Sequence, residues 1–267
     1  MVQFPLQNRT AVVTGASAGI GRAIAGRLVN LGAFCVINGR RPERLADAAK
    51  EFREGNIAQV VGDCADDAVI TRMLDVARLA LGNPELEADL VVVNAGRGLS
   101  GSVLTSDPSQ WEEMIRTNVT GAAKLIRAAA QRMLAQIERR TGGRFGPDAL
   151  ARPHDIVVIG STVGRHISPF SSMYGSTKFA VNSLAEAARR ELGPKGIRVT
   201  LIEPGFVESE FQGVAGYDPA WFAEVKARIG PVLSPENVAD SVGYVVSRPA
   251  HVHLSDVLIR PTRQEYP

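Results

Sequence analysis

The sequence predicts an α/β protein: a doubly wound parallel sheet with helices on both faces, in a single domain. Three observations predict it. Short β-branched runs alternate with longer helical patterns along the 267 residues. The runs are continuously apolar rather than alternating, as in Leu90–Val93, which marks strands buried on both faces. A glycine-rich turn follows the first run directly and opens the first helix. Strict strand–helix alternation with right-handed crossovers then gives a doubly wound sheet.

Thr10–Thr14 reads as the first strand. From Ile20 the apolar residues Ile20, Ile24, Leu28 and Leu31 recur at helical spacing, and Gly32 stops the helix. Ala33–Asn38 is the second strand, and Pro42 opens the second helix. Ile57–Val61 is the third strand, Asp67–Leu81 a helix and Leu90–Val93 the fourth strand. One long helical region is expected over Pro108–Arg140. Ile156–Ile159 is the fifth strand, Ser172–Leu192 a helix and Val199–Ile202 the sixth strand. Helical patterns follow at Pro219–Ala227 and Pro235–Ser247, and a last strand at Val257–Ile259. Between the long helical region and the fifth strand, residues 141–153 carry three Gly, two Pro and two Arg, a loop composition. They read as a solvated surface insertion, with a contact across a subunit interface as the alternative.

Composition excludes several classes. Hydrophobic residues make up 45% and charged residues 22%, which is not the balance of a disordered chain. Lys and Arg total 30 against 28 acidic residues, so charge makes no case for a nucleic acid or an anionic membrane as partner. Cys35 and Cys64 lie in or at the end of apolar runs and read as reduced thiols, which fits a cytoplasmic protein. Met1–Thr10 lacks the apolar centre of a secretory signal. No apolar stretch approaches the ~20 residues that span a bilayer. A soluble protein is expected.

The glycines of Gly15-Ala-Ser17-Ala-Gly19-Ile20-Gly21 sit between a strand and a helix. There they let the backbone approach a pyrophosphate, with the helix N–H groups facing the anion. An acid about 20 positions further on would bind the ribose hydroxyls of NAD. This chain has Asn38-Gly39-Arg40-Arg41 instead, and guanidinium groups suit a phosphate dianion. The expected cofactor is therefore NADP, with Arg40 and Arg41 on its phosphate. Tyr174 and Lys178 are four apart and share one helix face. Alone they would read as a surface pair. Beside a cofactor, an ammonium and the nicotinamide charge favour a phenolate and bring a phenol of ordinary pKa ~10 nearer the range of a general acid–base. No metal is expected: His154, His166, His251 and His253 have no zinc-site spacing with the cysteines.

Thr14-Gly15-x-x-x-Gly19-x-Gly21, Asn94-Ala95-Gly96, Asn118, Ser161, Tyr174-x-x-x-Lys178 and Pro204-Gly205-Phe206-Val207 occur in this order over nearly the whole chain. Together they resemble the short-chain dehydrogenase/reductase family, which has a Rossmann-type fold. The resemblance implies that Tyr174 exchanges a proton with the substrate oxygen. It also implies that Lys178 lowers the tyrosine pKa and binds the nicotinamide ribose, that Ser161 bonds the substrate oxygen, and that Asn118 holds a water chain to Lys178. It adds Pro204, Gly205, Val207 and Ser209 to the cofactor residues. Asp63, followed by Cys64, reads either as the acid that receives the adenine amino group or as a strand-end turn residue.

The Asn38–Leu45 turn and the tail, Arg248–Val252 with Arg260–Gln264, resemble NADP-dependent 3-hydroxy acid (serine-type) dehydrogenases. Ribitol-type polyol dehydrogenases share a similar tail. The tail lacks the Val-x-Gly-Gly ending of 3-oxoacyl carrier-protein reductases. The implied activity interconverts a small secondary alcohol, a 3-hydroxy acid or similar, and its carbonyl. A polyol dehydrogenase or a general ketone reductase is the alternative. A catalytically silent NADP-sensing protein is the reading from another class, but such proteins usually lack the tyrosine or lysine kept here. For a carboxylate substrate, Arg97 and Arg165 are the candidate cations. Residues 208–223, with Phe211, Tyr217, Trp221 and Phe222, are expected to form a lid over the substrate. The two long helices imply a homodimer or homotetramer.

Overall fold

In the computed structural model, which describes residues 5–52, 55–80, 82–83 and 85–266, strands and helices alternate as their apolar patterns require. The first half runs β1 (Thr10–Val13), α1 (Gly19–Asn30), β2 (Phe34–Gly39), α2 (Pro42–Lys50), β3 (Ile57–Val61), α3 (Asp67–Ala80) and β4 (Leu90–Val93). The second half runs α4 (Trp111–Ile115), α5 (Ala122–Thr141), β5 (His154–Ile159), α6 (Ser172–Leu192), β6 (Ile197–Pro204), α7 (Phe211–Val214), α8 (Pro219–Ile229), α9 (Pro235–Val246) and β7 (Asp256–Ile259). The expected end of the third helix at Leu81 lies outside the described residues.

The seven strands form one parallel sheet in the order β3-β2-β1-β4-β5-β6-β7. Alternate strand residues feed two separate cores. Val12, Val36, Val91 and Val158 pack with α3, α5 and α6 on one face. Ala11, Val13, Cys35, Ile37, Val92 and Val157 pack with α1, α2 and α9 on the other. The winding direction reverses between β1 and β4, and this opens a crevice at the carboxyl ends of the strands.

Three elements depart from the pattern reading. β5 and β6 are longer than their apolar cores because their ends are charged residues that are buried in pairs. Arg198 on β6 meets Asp155 on β5 at 2.7 Å, and Arg9 meets Asp155 at 2.8 Å and Asp89 at 3.1 Å. The region Pro108–Arg140 is not one helix. A 3-10 turn at Pro108–Gln110, capped by Asp107, leads into α4, and a π-helical stretch at Arg116–Gly121 joins α4 to α5. A π-stretch widens the helix and re-aims one residue, here Asn118, which is buried. Residues 141–153 lie at the surface, with only Ala149 buried, but they are not irregular throughout. Gly142, at φ 63°, ends α5, and a 3-10 turn over Pro147–Ala151 buries Ala149. Arg152 pins the segment to the sheet by pairing with Asp89 at 2.6 Å and donating to the Asn8 carbonyl.

Candidate active site

The crevice is a continuous cleft of about 1140 Å³. At one end the turn from β1 to α1 lies against the start of the fourth crossover. The Asn94 side-chain amide donates to the Thr14 carbonyl at 2.8 Å, and the Thr14 hydroxyl accepts from the backbone N–H groups of Asn94 and Ala95. A Cβ on Gly21 would stand 2.4 Å from both the Asn94 amide nitrogen and the Gly15 carbonyl oxygen, so only glycine fits there. Helix α1 begins with no side-chain cap and no acid in its first turn. Its first N–H groups are thus left for an anion in the cleft.

At the end of β2 the buried Asn38 side chain donates to the Val60 and Gly62 carbonyls, tying β2 to β3. Arg40 and Arg41 then turn outward along the cleft. Arg40 pairs with Glu113 at 2.9 Å, and Glu210 pairs with Arg41 at 3.6 Å and with Arg44. These partners are 45–62% exposed, and exposed pairs contribute only about 0–1 kcal/mol, so a phosphate can displace them. Asp63 lines the cleft, but its carboxylate is engaged. Against the burial that would raise it, the Ala65 N–H and Arg116 hold this carboxyl below its ordinary range. Burial, with the charge of Asp63, pushes the adjacent Cys64 thiol up to about 11.

The candidate reacting groups stand on α6 and on the turn after β5. That turn lies hard against α6: a Cβ on Gly164 would come within 2.8 Å of the Lys178 carbonyl oxygen. This holds the Ser161 hydroxyl near the Tyr174 phenol, while the same hydroxyl accepts from the Val163 N–H at 3.4 Å. Burial raises the Tyr174 pKa, and the nearby Ser161 hydroxyl partly offsets it. Lys178 is buried one turn further along, its ammonium 5.9 Å from the Tyr174 ring centre and donating to the Ile159 carbonyl at 2.9 Å. Burial pushes Lys178 down to about 8. Asn118 stands behind this pair. Its carboxamide bonds both backbone groups of Arg97 and donates to the Thr177 hydroxyl at 3.0 Å.

Of the residues singled out from the sequence for this site, Asn118, Arg165 and the buried Phe222 do not line the cleft. Arg165 is turned away, paired with the buried Glu203 and, at 2.6 Å, with Asp256. Arg97 borders the cleft, but its guanidinium is taken by Glu113 and by Gln110 at 2.6 Å. Residues 208–223, expected to form a lid, hold α7 and the start of α8, with Phe211 packed on Tyr174. Sequence reasoning missed Phe170, Arg228 and Tyr266, which also line the cleft. They lie in irregular or exposed positions, where no periodicity signals them. Glu113 and Glu210 were missed as well. Their signal, an acid for each free arginine, exists only in space.

A cleft that runs from a glycine turn to a half-buried serine and a buried tyrosine and lysine fits a nicotinamide-dependent oxidoreductase. The short chain dehydrogenase family model matches residues 9–218, and the chain belongs to that family. An uncharacterized oxidoreductase of Staphylococcus saprophyticus is 32% identical over 259 residues, covering 96% of this chain and 98% of that protein. The closed form of a serine dehydrogenase complexed with NADP+ superposes with a TM-score of 0.82 at 30% identity, over 96% of each chain. A putative gluconate dehydrogenase from Agrobacterium tumefaciens superposes with a TM-score of 0.78 at 28% identity, over 97% of each chain.

Proposed function

We propose that the protein is an NADP(H)-dependent oxidoreductase that interconverts a secondary alcohol and its carbonyl compound, acting in the cytoplasm as a homodimer or homotetramer. The observation that carries the cofactor choice is the pair Arg40 and Arg41 at the end of β2, a turn that carries no acid of its own and whose pairs with Glu113 and Glu210 are exposed. The glycine turn and the uncapped start of α1 would hold the pyrophosphate, and Arg40 with Arg41 the ribose phosphate. When bound, the nicotinamide supplies or takes the hydride.

The chain's own groups handle the proton. Ser161 orients the substrate oxygen. The Tyr174 hydroxyl, kept protonated by burial, donates to that oxygen on reduction. The Lys178 ammonium then favours the phenolate left behind. Asn118 fixes the turn that carries Arg97 against α6, so the reacting groups keep their spacing. A small 3-hydroxy acid would need a guanidinium for its carboxylate, because an unpaired anion in a closed site is costly. Arg165 is committed to Glu203 and Asp256, so a carboxylate would have to displace Glu113 from Arg97 or meet Arg228, which lines the cleft without an acid partner among the described residues. The intracellular location is supported by the free thiols of Cys35 and Cys64. Assembly is supported by the long α5 and α6 and by Phe179, 42% exposed on α6.

The test is kcat/KM for NADP and NAD in the wild type and in Arg40→Ala. The wild type should prefer NADP. Losing a charge-assisted phosphate contact should cost NADP about 1.5–3 kcal/mol and leave NAD nearly unchanged. A wild type that prefers NAD refutes the assignment.

A further inference from the structure

The cleft continues beyond Tyr174 as an unbroken run of aromatic rings. Tyr174 packs on Phe211 at 5.5 Å between centroids, and Phe211 meets Tyr217 edge-on at 6.3 Å. Tyr217 meets Trp221 edge-on at 5.6 Å, and Trp221 meets Phe206 at 6.2 Å. All five rings line the cleft. Phe170 and Tyr266 join them from two other segments and are 74% and 52% exposed, which leaves ring surface for a ligand.

Several polar side chains along this wall are already engaged, although the exposed Arg228 guanidinium has no acid partner among the described residues. The Ser100 hydroxyl donates to the Gly216 carbonyl at 2.9 Å, and the Ser102 and Thr105 hydroxyls bond each other at 3.2 Å. The Gln212 amide donates to the Val207 carbonyl at 2.7 Å, and the Asp218 carboxylate caps α8 by accepting from the Trp221 backbone N–H at 2.7 Å. A polyol brings several hydroxyl groups, and most of them lose water without finding a partner on this wall. An aryl group loses nothing polar, removes apolar surface from water and meets rings in the edge and tilted arrangements that aromatic pairs favour.

From this contrast we infer that the substrate is an aryl ketone or the matching secondary aryl alcohol, its ring held by Tyr217, Trp221 and Phe170. The inference rests on the proposed oxidoreductase reading. In the reduction the carbonyl π bond breaks. The carbonyl carbon accepts a hydride, with its two electrons, from NADPH, which leaves as NADP+. The carbonyl oxygen accepts the Tyr174 proton, and solvent returns a proton to Tyr174.

The test compares acetophenone, acetoacetate and dihydroxyacetone as oxidants of NADPH in the wild type, Trp221→Ala and Trp221→Phe. In the wild type, kcat/KM for acetophenone should exceed the other two by about tenfold or more. Trp221→Ala should lower acetophenone turnover about tenfold while changing the small substrates less than about twofold. Trp221→Phe should restore most of the loss. A wild type that prefers acetoacetate or dihydroxyacetone overturns the aryl assignment and leaves the oxidoreductase reading standing. An equal loss on all three substrates in Trp221→Ala also overturns it. No turnover of any carbonyl with NADPH or NADH overturns the oxidoreductase reading itself and this inference with it.

Discussion

The Asn118 carboxamide clasps the backbone of Arg97 from both sides, accepting its N–H at 2.8 Å and donating to its carbonyl at 2.9 Å. The same amide reaches Thr177, which in turn donates to the Tyr174 carbonyl at 2.7 Å. One buried side chain thus links the turn after β4 to the helix turn that bears Tyr174 and Lys178.

Asn118→Ala would leave the Arg97 backbone groups without these partners. Unmet buried polar groups cost about 1–3 kcal/mol, so thermal unfolding should shift down by several degrees. Turnover should fall more than cofactor affinity does, because the displaced groups are the reacting ones. Titration of NADPH binding alongside kcat checks this, and equal losses in both would contradict it.

Tyr174→Phe keeps the ring packing on Phe211 and removes only the proton donor. The loss of a general acid–base is expected to lower kcat by roughly 10²–10⁴-fold. NADPH affinity measured by fluorescence should change little. A folded variant with near-normal kcat would remove Tyr174 from the chemistry.

Lys178 should cost the fold stability. Burial lowers its pKa from 10.5 to about 8, so the folded state binds fewer protons than the unfolded state between those values. Its contribution to stability therefore rises with pH from about 8 toward 10.5, and below 8 the penalty of burying the charge is borne in full. Lys178→Met should be more stable than the wild type at pH 7, by up to a few kcal/mol, and inactive. The advantage should shrink between pH 8 and pH 9.5 in paired denaturation curves. A destabilised variant with no pH trend would count against an unpaired buried ammonium.

Assembly through α5 and α6 predicts a particle of at least two chains by light scattering at micromolar concentration. Phe179→Glu places a charge on the exposed face of α6 and should weaken that association. A wild type that is monomeric under these conditions contradicts the proposed oligomer.

The sequence by itself determined the two-sided sheet and the order of its parts. Continuous apolar runs such as Leu90–Val93 have no solvent face, so they have to be covered on both sides, and the helical spacing between them supplies the covers. The glycine turn, Tyr174 and Lys178 were equally legible, because their spacing is short and local backbone geometry sets where they point. Only the tertiary structure decided what became of the arginines. Arg165 meets Asp256 across 91 positions of sequence, and Arg40 meets Glu113 across 73. The same holds for the aromatic wall, drawn from β6–α7, α8, the β5–α6 segment and the C-terminal tail. Periodicity encodes which face of an element is buried. The partner of a charged or isolated side chain depends on which distant segments the sheet brings to one edge, and local sequence carries no record of that.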